Sequence, residues 1–210
     1  MAAHDISLPD AKLHLSNLAA PMKAQNLPFV IELRCLKKGS PPRSWRVDPY
    51  NEQMIVSALK AVSRLNCDGY NIYTTVNPIC TGGEIWKAST DEEVIAATYL
   101  FLDADEEGVA TNIIEKQEVP YDFLVVTGTE PYLRAHFYLR LEAPTERISD
   151  WRLVMDKMII AHSCDKSAKN PSRVMRLAGL LTHPDPGKIE KKYVSEVVKI
   201  YSGDREHGLI

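Results

Sequence analysis

The chain has 210 residues, of which 45% are hydrophobic, enough to bury a substantial core in one elaborate domain or two tightly joined units. Its formal net charge of -3 does not advertise nucleic-acid binding. The first residues lack a signal-peptide pattern and no apolar run approaches the ~18 residues needed to cross a bilayer, so a folded, cytoplasmic protein without membrane contact is expected. Cys35, Cys67, Cys80 and Cys164 are scattered without C-x-x-C spacing, which predicts reduced structural thiols and argues against a zinc site.

Residues 1–28 read as short helix and coil, punctuated by Pro9, Pro21 and Pro28. "FVIELRCL" (29–36) reads as a strand, and Gly39, Pro41 and Pro42 turn the chain toward a partner at 43–47. A helix follows, with Asp48 as its cap, Pro49 at its first position, and Met54, Ile55, Ala58, Leu59, Val62 and Leu65 as an apolar stripe. "GYNIYTTVNP" (69–78) is a strand ended by Pro78, and a polar loop leads to Asp91, Glu92 and Glu93. After a strand through Tyr99, Leu100, Phe101 and Leu102 that carries the two aspartates, and a helix around 109–118, "YDFLVVTG" (121–128) and "AHFYLRLEAP" (135–144) form an antiparallel pair. Thr145 to His162 is a helix with Ile148, Trp151, Val154, Met155, Met158 and Ile159 on its apolar face. A short strand (173–177), the turn-rich "THPDPGK" (182–188) and a last strand (193–200) complete a mixed pattern that predicts an α+β fold.

Three fragments carry chemistry. "ATYLFLDADEEG" (97–108) ends an apolar strand with two aspartates one residue apart. Residues i and i+2 of a strand share a face, so Asp103 and Asp105 point the same way and repel. A hard cation such as Mg2+ or Mn2+ relieves that repulsion; an acidic turn, continued by Glu106, Glu107 and Gly108, is the plainer reading of the pair taken alone. In "RAHFYLRL", Arg134 and His136 share a face and make a cradle for phosphate oxygens, against the plainer reading of a packed histidine. "DKSAKNPSRVMRLAG" supplies Asp165 among basic residues, where a surface salt bridge to Lys166 or Lys169 is the ordinary alternative. From Lys166 to Lys192 there are seven basic residues against two acidic ones, a stretch that suits a polyanion or merely forms a solvated face.

The order "FLDAD", "RAHFYLRL", "DKSAKNPSRVMRLAG" resembles the three-motif signature of the archaeo-eukaryotic primase superfamily. It is most similar to the replication-associated primase-polymerases of plasmids and phages, in which a "VNP" strand precedes the first motif and R-x-x-R-L-x-G follows the third. The resemblance spans roughly residues 29 to 200. It implies an RRM-like catalytic palm (about 96–202) joined to an N-terminal α/β unit (about 29–95) within a catalytic domain over 29–210, with 1–28 as an extension and the site in the cleft between the units. It further implies that Asp103, Asp105 and Asp165 hold Mg2+ or Mn2+, and that His136, Arg173 and Arg176 bind the nucleotide; Arg134 joins the nucleotide-binding residues through the cradle it makes with His136. The implied partners are an NTP or dNTP, single-stranded or primer-template DNA, and a helicase domain or subunit.

Two departures from the pattern stand out. Arg134 replaces the usual small residue two before the histidine, and Ala178 replaces the proline of "RLPGT", which weakens any transfer of role to Thr182, His183 or Lys188. Rival classes fit less well. A haloacid-dehalogenase-type phosphatase needs a parallel sheet and a threonine or valine soon after its second aspartate, and nothing here suits the sugar nucleotide of a D-x-D glycosyltransferase. The competing reading that survives is a catalytically inert DNA-binding replication-initiation module of the same fold.

Overall fold

The computed structural model describes residues 6–117 and 119–203. Residues 1–5 of the expected extension, Glu118 at the end of the helix expected over 109–118, and 204–210 of the expected catalytic domain lie outside the described residues.

Among the described residues, eight strands form two antiparallel sheets. The first contains β1 (Ile31–Leu36), β2 (Arg43–Val47), β3 (Asn71–Thr75) and β7 (Val174–Arg176) in the order β2-β1-β3-β7. The second contains β4 (Ala97–Ala104), β5 (Phe123–Gly128), β6 (Arg134–Thr145) and β8 (Lys199–Ser202) in the order β4-β6-β5-β8. With α3 (Val109–Lys116) and α4 (Ile148–Ala161), the second sheet builds an RRM-like palm in an α+β architecture. β7 lies in the stretch that the sequence assigns to the palm, yet it pairs with β3 of the first sheet. That pairing brings Arg173 and Arg176 to the cavity that Asp103 and Asp105 line at the end of β4.

The N-terminal segment is a 16-residue helix, α1 (Leu8–Lys23), with Leu15, Leu18, Ala19 and Met22 buried in the common core. Pro21 reads as a breaker in sequence, but it sits inside the helix. A proline has no N–H to give the carbonyl four residues earlier, and that carbonyl, of Asn17, instead accepts from the Tyr99 hydroxyl on β4 at 2.8 Å. His14 Nδ1 accepts from the backbone N–H of Ala178 at 3.2 Å, just past β7, so α1 ties both sheets together.

Several boundaries move for local reasons. Helix α2 (Glu52–Cys67) begins later than expected, because Asn51 is its cap and accepts from Met54 N at 3.0 Å. Asp48 instead closes a turn with Tyr50 N at 2.8 Å. In α4, Trp151, Met155 and Ile159 are buried, whereas Val154 faces solvent. Within "THPDPGK", Pro186 starts a short helix, α5 (Pro186–Glu190), capped by Asp185. β8 begins at Lys199, because Glu196 and Val198 bond instead to Thr182, Leu180 and Gly179.

The first sheet is locked by a buried carboxylate. Glu32 is fully buried and accepts from Arg34 Nε (2.6 Å) and Nη2 (2.8 Å), Ser44 Oγ (2.7 Å), and Ser89 N (2.8 Å) and Oγ (2.5 Å). Burial pushes its pKa up, but these donors together hold it below the usual carboxylate value. Glu32→Ala strands Arg34 and both serines, and urea titration is expected to show a loss of about 3 kcal/mol, the scale for breaking a buried pair. A lowered folded pKa also means that Glu32 stabilises the protein above its ordinary pKa and that this contribution fades as pH falls.

Candidate active site

Strand β4 ends the hydrophobic run Phe101–Leu102 by emerging into the cleft, and Asp103 and Asp105 there face the same way. Asp103 lies opposite His136 in the β4–β6 register. The loop after α4 docks on the same strand through a hydrogen bond from Asp165 N to Asp103 O at 2.9 Å. β7 and the residue before it supply Arg176 and Arg173. Asp103, Asp105, Asp165, Arg134, His136, Arg173 and Arg176 all line one cavity of about 220 Å3.

The charges interlock within it. Arg173 Nη2 lies 3.8 Å from Asp103 Oδ2 and 3.4 Å from Asp165 Oδ2. His136 Nε2 is 3.6 Å from Asp103 Oδ1. Asp105 meets Arg134 Nε at 3.6 Å and Lys188 Nζ at 3.5 Å. Burial first, then Asp105 and Asp165, push the Asp103 carboxyl up to about 7 against the pull of Arg173 and Arg176. The protein's own cations therefore do not offset this crowding of carboxylates. Asp165 behaves differently: despite some burial, hydrogen bonds from Ser167 N (2.8 Å) and Oγ (2.6 Å) and the nearby Arg173 keep its pKa low. Burial and Arg176 drive His136 well below the usual histidine value. It is neutral at physiological pH, and its contact with Asp103 is that of a dipole beside a carboxyl group.

Arg134 is held differently from the other arginines. Its Nη1 donates to Glu130 O at 2.6 Å, its Nη2 lies 3.5 Å from Glu196, and its guanidinium stacks 4.3 Å from the Tyr193 ring centroid. Gly128 leaves room for this guanidinium, which a Cβ there would displace. Arg134 is thus braced against Asp105, whereas Arg173 Nε is buried without a partner.

Several further residues orient the site, and apart from Asn77 of the "VNP" strand they carry no motif signature. Asn77 of "VNP" donates to Pro171 O at 3.0 Å and accepts from Thr98 N at 3.1 Å, joining the start of β4 to the loop before Arg173. Asp91 accepts from Ser172 Oγ at 2.6 Å and N at 3.2 Å, fixing the same loop. Asn71 Oδ1 accepts from Arg176 Nη1 at 2.6 Å and from His183 N at 2.8 Å. Lys188 and Tyr193 also line the cavity. Buried amides and carboxylates that bond to backbone are the available signal for such residues, but one sequence does not reveal their partners.

Among the described residues no group of three or more His, Cys, Asp or Glu side chains is arranged to hold a metal ion. The donor chemistry nonetheless suits a hard divalent cation: three carboxylates face one cavity, and the most buried of them is held up in pKa by burial first and then by the other two. All four cysteines are free thiols, and burial pushes those of Cys35 and Cys164 up to about 12. No helix of the described residues is long and apolar enough to cross a membrane.

The fold is similar to that of the archaeo-eukaryotic primase domain of the primase-polymerase from cyanophage S-2L, with a TM-score of 0.66 and 20% identity over 94% of this chain and 91% of that one. It is also similar to primase RepB′, with a TM-score of 0.56 and 11% identity over 90% of this chain and 56% of that one. The catalytic domain of RepB′ in complex with initiator DNA gives a TM-score of 0.50 and 14% identity over 90% of this chain and 84% of that one. Neither a protein-family model nor a curated protein matches the sequence. The chain therefore has the α+β fold of archaeo-eukaryotic primase domains, with an RRM-like palm.

Proposed function

We propose that the chain is a primase-polymerase domain that transfers nucleotides onto a strand paired with a single-stranded DNA template during replication of a mobile element. The observation that carries this reading is the meeting of Asp103, Asp105 and Asp165 with His136, Arg173 and Arg176 in one cavity between the sheets. Fold alone does not assign chemistry; the site does. At about 220 Å3 the cavity is smaller than the ~300–1,000 Å3 usual for whole-ligand pockets, which suits a triphosphate whose nucleoside extends beyond it.

Asp103, Asp105 and Asp165 are the residues that would hold Mg2+ or Mn2+. Bound there, the metal supplies charge compensation for the triphosphate and lowers the pKa of the attacking 3′-hydroxyl. Arg173, which bridges two of the acids here and donates to Ser167 O at 3.4 Å, lines the cavity and would turn to phosphate oxygens once a metal neutralises those acids. His136 presents a neutral ring N–H, and Arg176, set by Asn71, adds positive charge to offset that on the departing pyrophosphate. Arg134 positions Asp105 and lines the same wall. In the reaction, the primer 3′-oxygen bonds to the α-phosphorus, the bond from that phosphorus to the β-bridging oxygen breaks, and no covalent bond to the protein forms.

A second reading, a DNA-binding replication module without synthesis, is favoured by the Arg173 bridge between Asp103 and Asp165, which occupies carboxylate oxygens that a metal would need. The two separate in an assay of the purified chain with single-stranded template, labelled NTPs or dNTPs and Mg2+ or Mn2+, with and without primer. Metal-dependent incorporation that disappears in Asp165→Asn supports the enzyme. Template binding with no incorporation under any of these conditions supports the inert module.

A further inference from the structure

Beside the acidic cavity lies a second one of about 730 Å3, bounded by the β1–β2 hairpin, the start of β3 and the segment entering α5. The two cavities share Tyr73, Arg176, Pro184 and Lys188 as a common wall. Cations reach this groove from three separate stretches of chain: Lys37 and Lys38 from the hairpin, Arg176 from β7, and Lys188 from α5. Asp185 also lines it, but its Oδ1 caps α5 by accepting from Lys188 N at 3.0 Å.

The hairpin charges are not spent on carboxylates. Among the described residues, the lysines in ion pairs are Lys12, Lys169 and Lys188, so Lys37 and Lys38 are left for another anion. Lys37 Nζ rests on the Asp68 carbonyl at 2.7 Å and 5.6 Å from the Tyr70 ring centroid, a ring that Arg43 also approaches at 5.6 Å. Across the groove the Arg176 guanidinium lies 5.2 Å from the Tyr73 ring centroid. The basic run from Lys166 to Lys192 is divided by the fold. Lys169 pairs with Asp156 on α4 at 3.2 Å and does not line the groove, whereas Lys188 does.

We propose that this groove is the track of single-stranded DNA, with its phosphates held by Lys37 and Lys38 and the strand reaching the reaction centre across the Tyr73–Arg176 wall. The proposal rests on the nucleotidyl-transfer reading and names where the nucleic acid lies. A strand fits better than a free nucleotide for two reasons. The cations are spread along the groove from its exposed hairpin rim to the shared wall instead of converging on one point, and the cavity is more than three times the volume of its acidic neighbour.

The test uses the full chain and a fluorescent oligo-dT strand, with anisotropy measured across a salt series. Lys37→Glu/Lys38→Glu is compared with Lys166→Glu/Lys169→Glu, and melting temperatures verify folding. The groove variant is expected to bind at least about tenfold more weakly at low salt, with a salt slope shallower by roughly 0.7 for each phosphate no longer neutralised by a lysine. The loop variant is expected to stay within about twofold of the parent, a smaller drop than follows when a phosphate is deprived of its cation. Equal affinity of the groove variant and the parent, or weakening confined to the loop variant, overturns the proposal. Calorimetry of dGTP with Mn2+ separates the two levels. If the parent binds nucleotide but its strand affinity ignores Lys37 and Lys38, the groove assignment alone fails. If the parent binds neither, the nucleotidyl-transfer reading fails with it.

Discussion

Asp103→Asn is expected to reduce nucleotide incorporation by at least about 100-fold, the scale on which electrostatic stabilisation of developing charge is lost, while leaving the metal-free protein no less stable than the parent. Burial and two neighbouring carboxylates raise the Asp103 pKa to about 7. A folded pKa above the ordinary value means that the group favours the folded state below that ordinary value and loses this contribution as pH rises through about 7. At pH 8 the ionised carboxylate therefore costs stability, and asparagine removes the charge at nearly constant shape. Metal-free melting at pH 8 should rise by roughly 2–4 °C for each kcal/mol relieved, with a smaller gain at pH 5. Asp105→Asn should lose incorporation similarly, but its side chain is 44% exposed, against 16% for Asp103, so its effect on melting should be smaller. A structural salt bridge predicts the reverse pattern, with unstable variants that remain active in whatever fraction stays folded.

The second large effect belongs to the phosphate side of the cavity. Arg173→Ala is expected to raise the apparent KM for nucleotide by about tenfold or more, because a charge-assisted hydrogen bond is worth roughly 1.5–3 kcal/mol. His136→Ala should raise KM as well, by less, since a neutral ring contributes a single uncharged hydrogen bond. Mn2+ binding should persist in both variants and strengthen in Arg173→Ala, where the cation bridging Asp103 and Asp165 is gone. Steady-state kinetics and a Mn2+ titration on the same preparations check both points. Loss of Mn2+ binding in either variant contradicts the division between acidic and phosphate-facing residues.

Much of the architecture is legible in the sequence where patterning is strong. The strands at Ile31–Leu36 and Ala97–Ala104 and the β5–β6 pair follow from apolar runs and turn residues. The position of β7 is not legible, because three residues carry no sign of which sheet they join. Helix α1 is underestimated because Pro21 counts as a breaker in isolation, while the Tyr99 hydroxyl that satisfies the Asn17 carbonyl lies 82 residues from Asn17 in sequence. Motif order singles out the candidate site residues, and the fold brings them to one cavity. What no motif indicates is the support behind them: Asn71 on Arg176, and Asp91 on the loop before Arg173. The basic run from Lys166 to Lys192 looks continuous in sequence, but tertiary structure spends part of it on Asp156 and Asp105.

The most direct measurement is templated incorporation by the purified chain, with a primed single-stranded DNA, each dNTP supplied separately, Mn2+, and the templating base varied among all four. The account predicts that the nucleotide added changes with the templating base in the parent, and that addition is lost in Asp103→Asn although that variant melts no lower than the parent. Addition that ignores the template, or that continues undiminished in a folded Asp103→Asn protein, contradicts it.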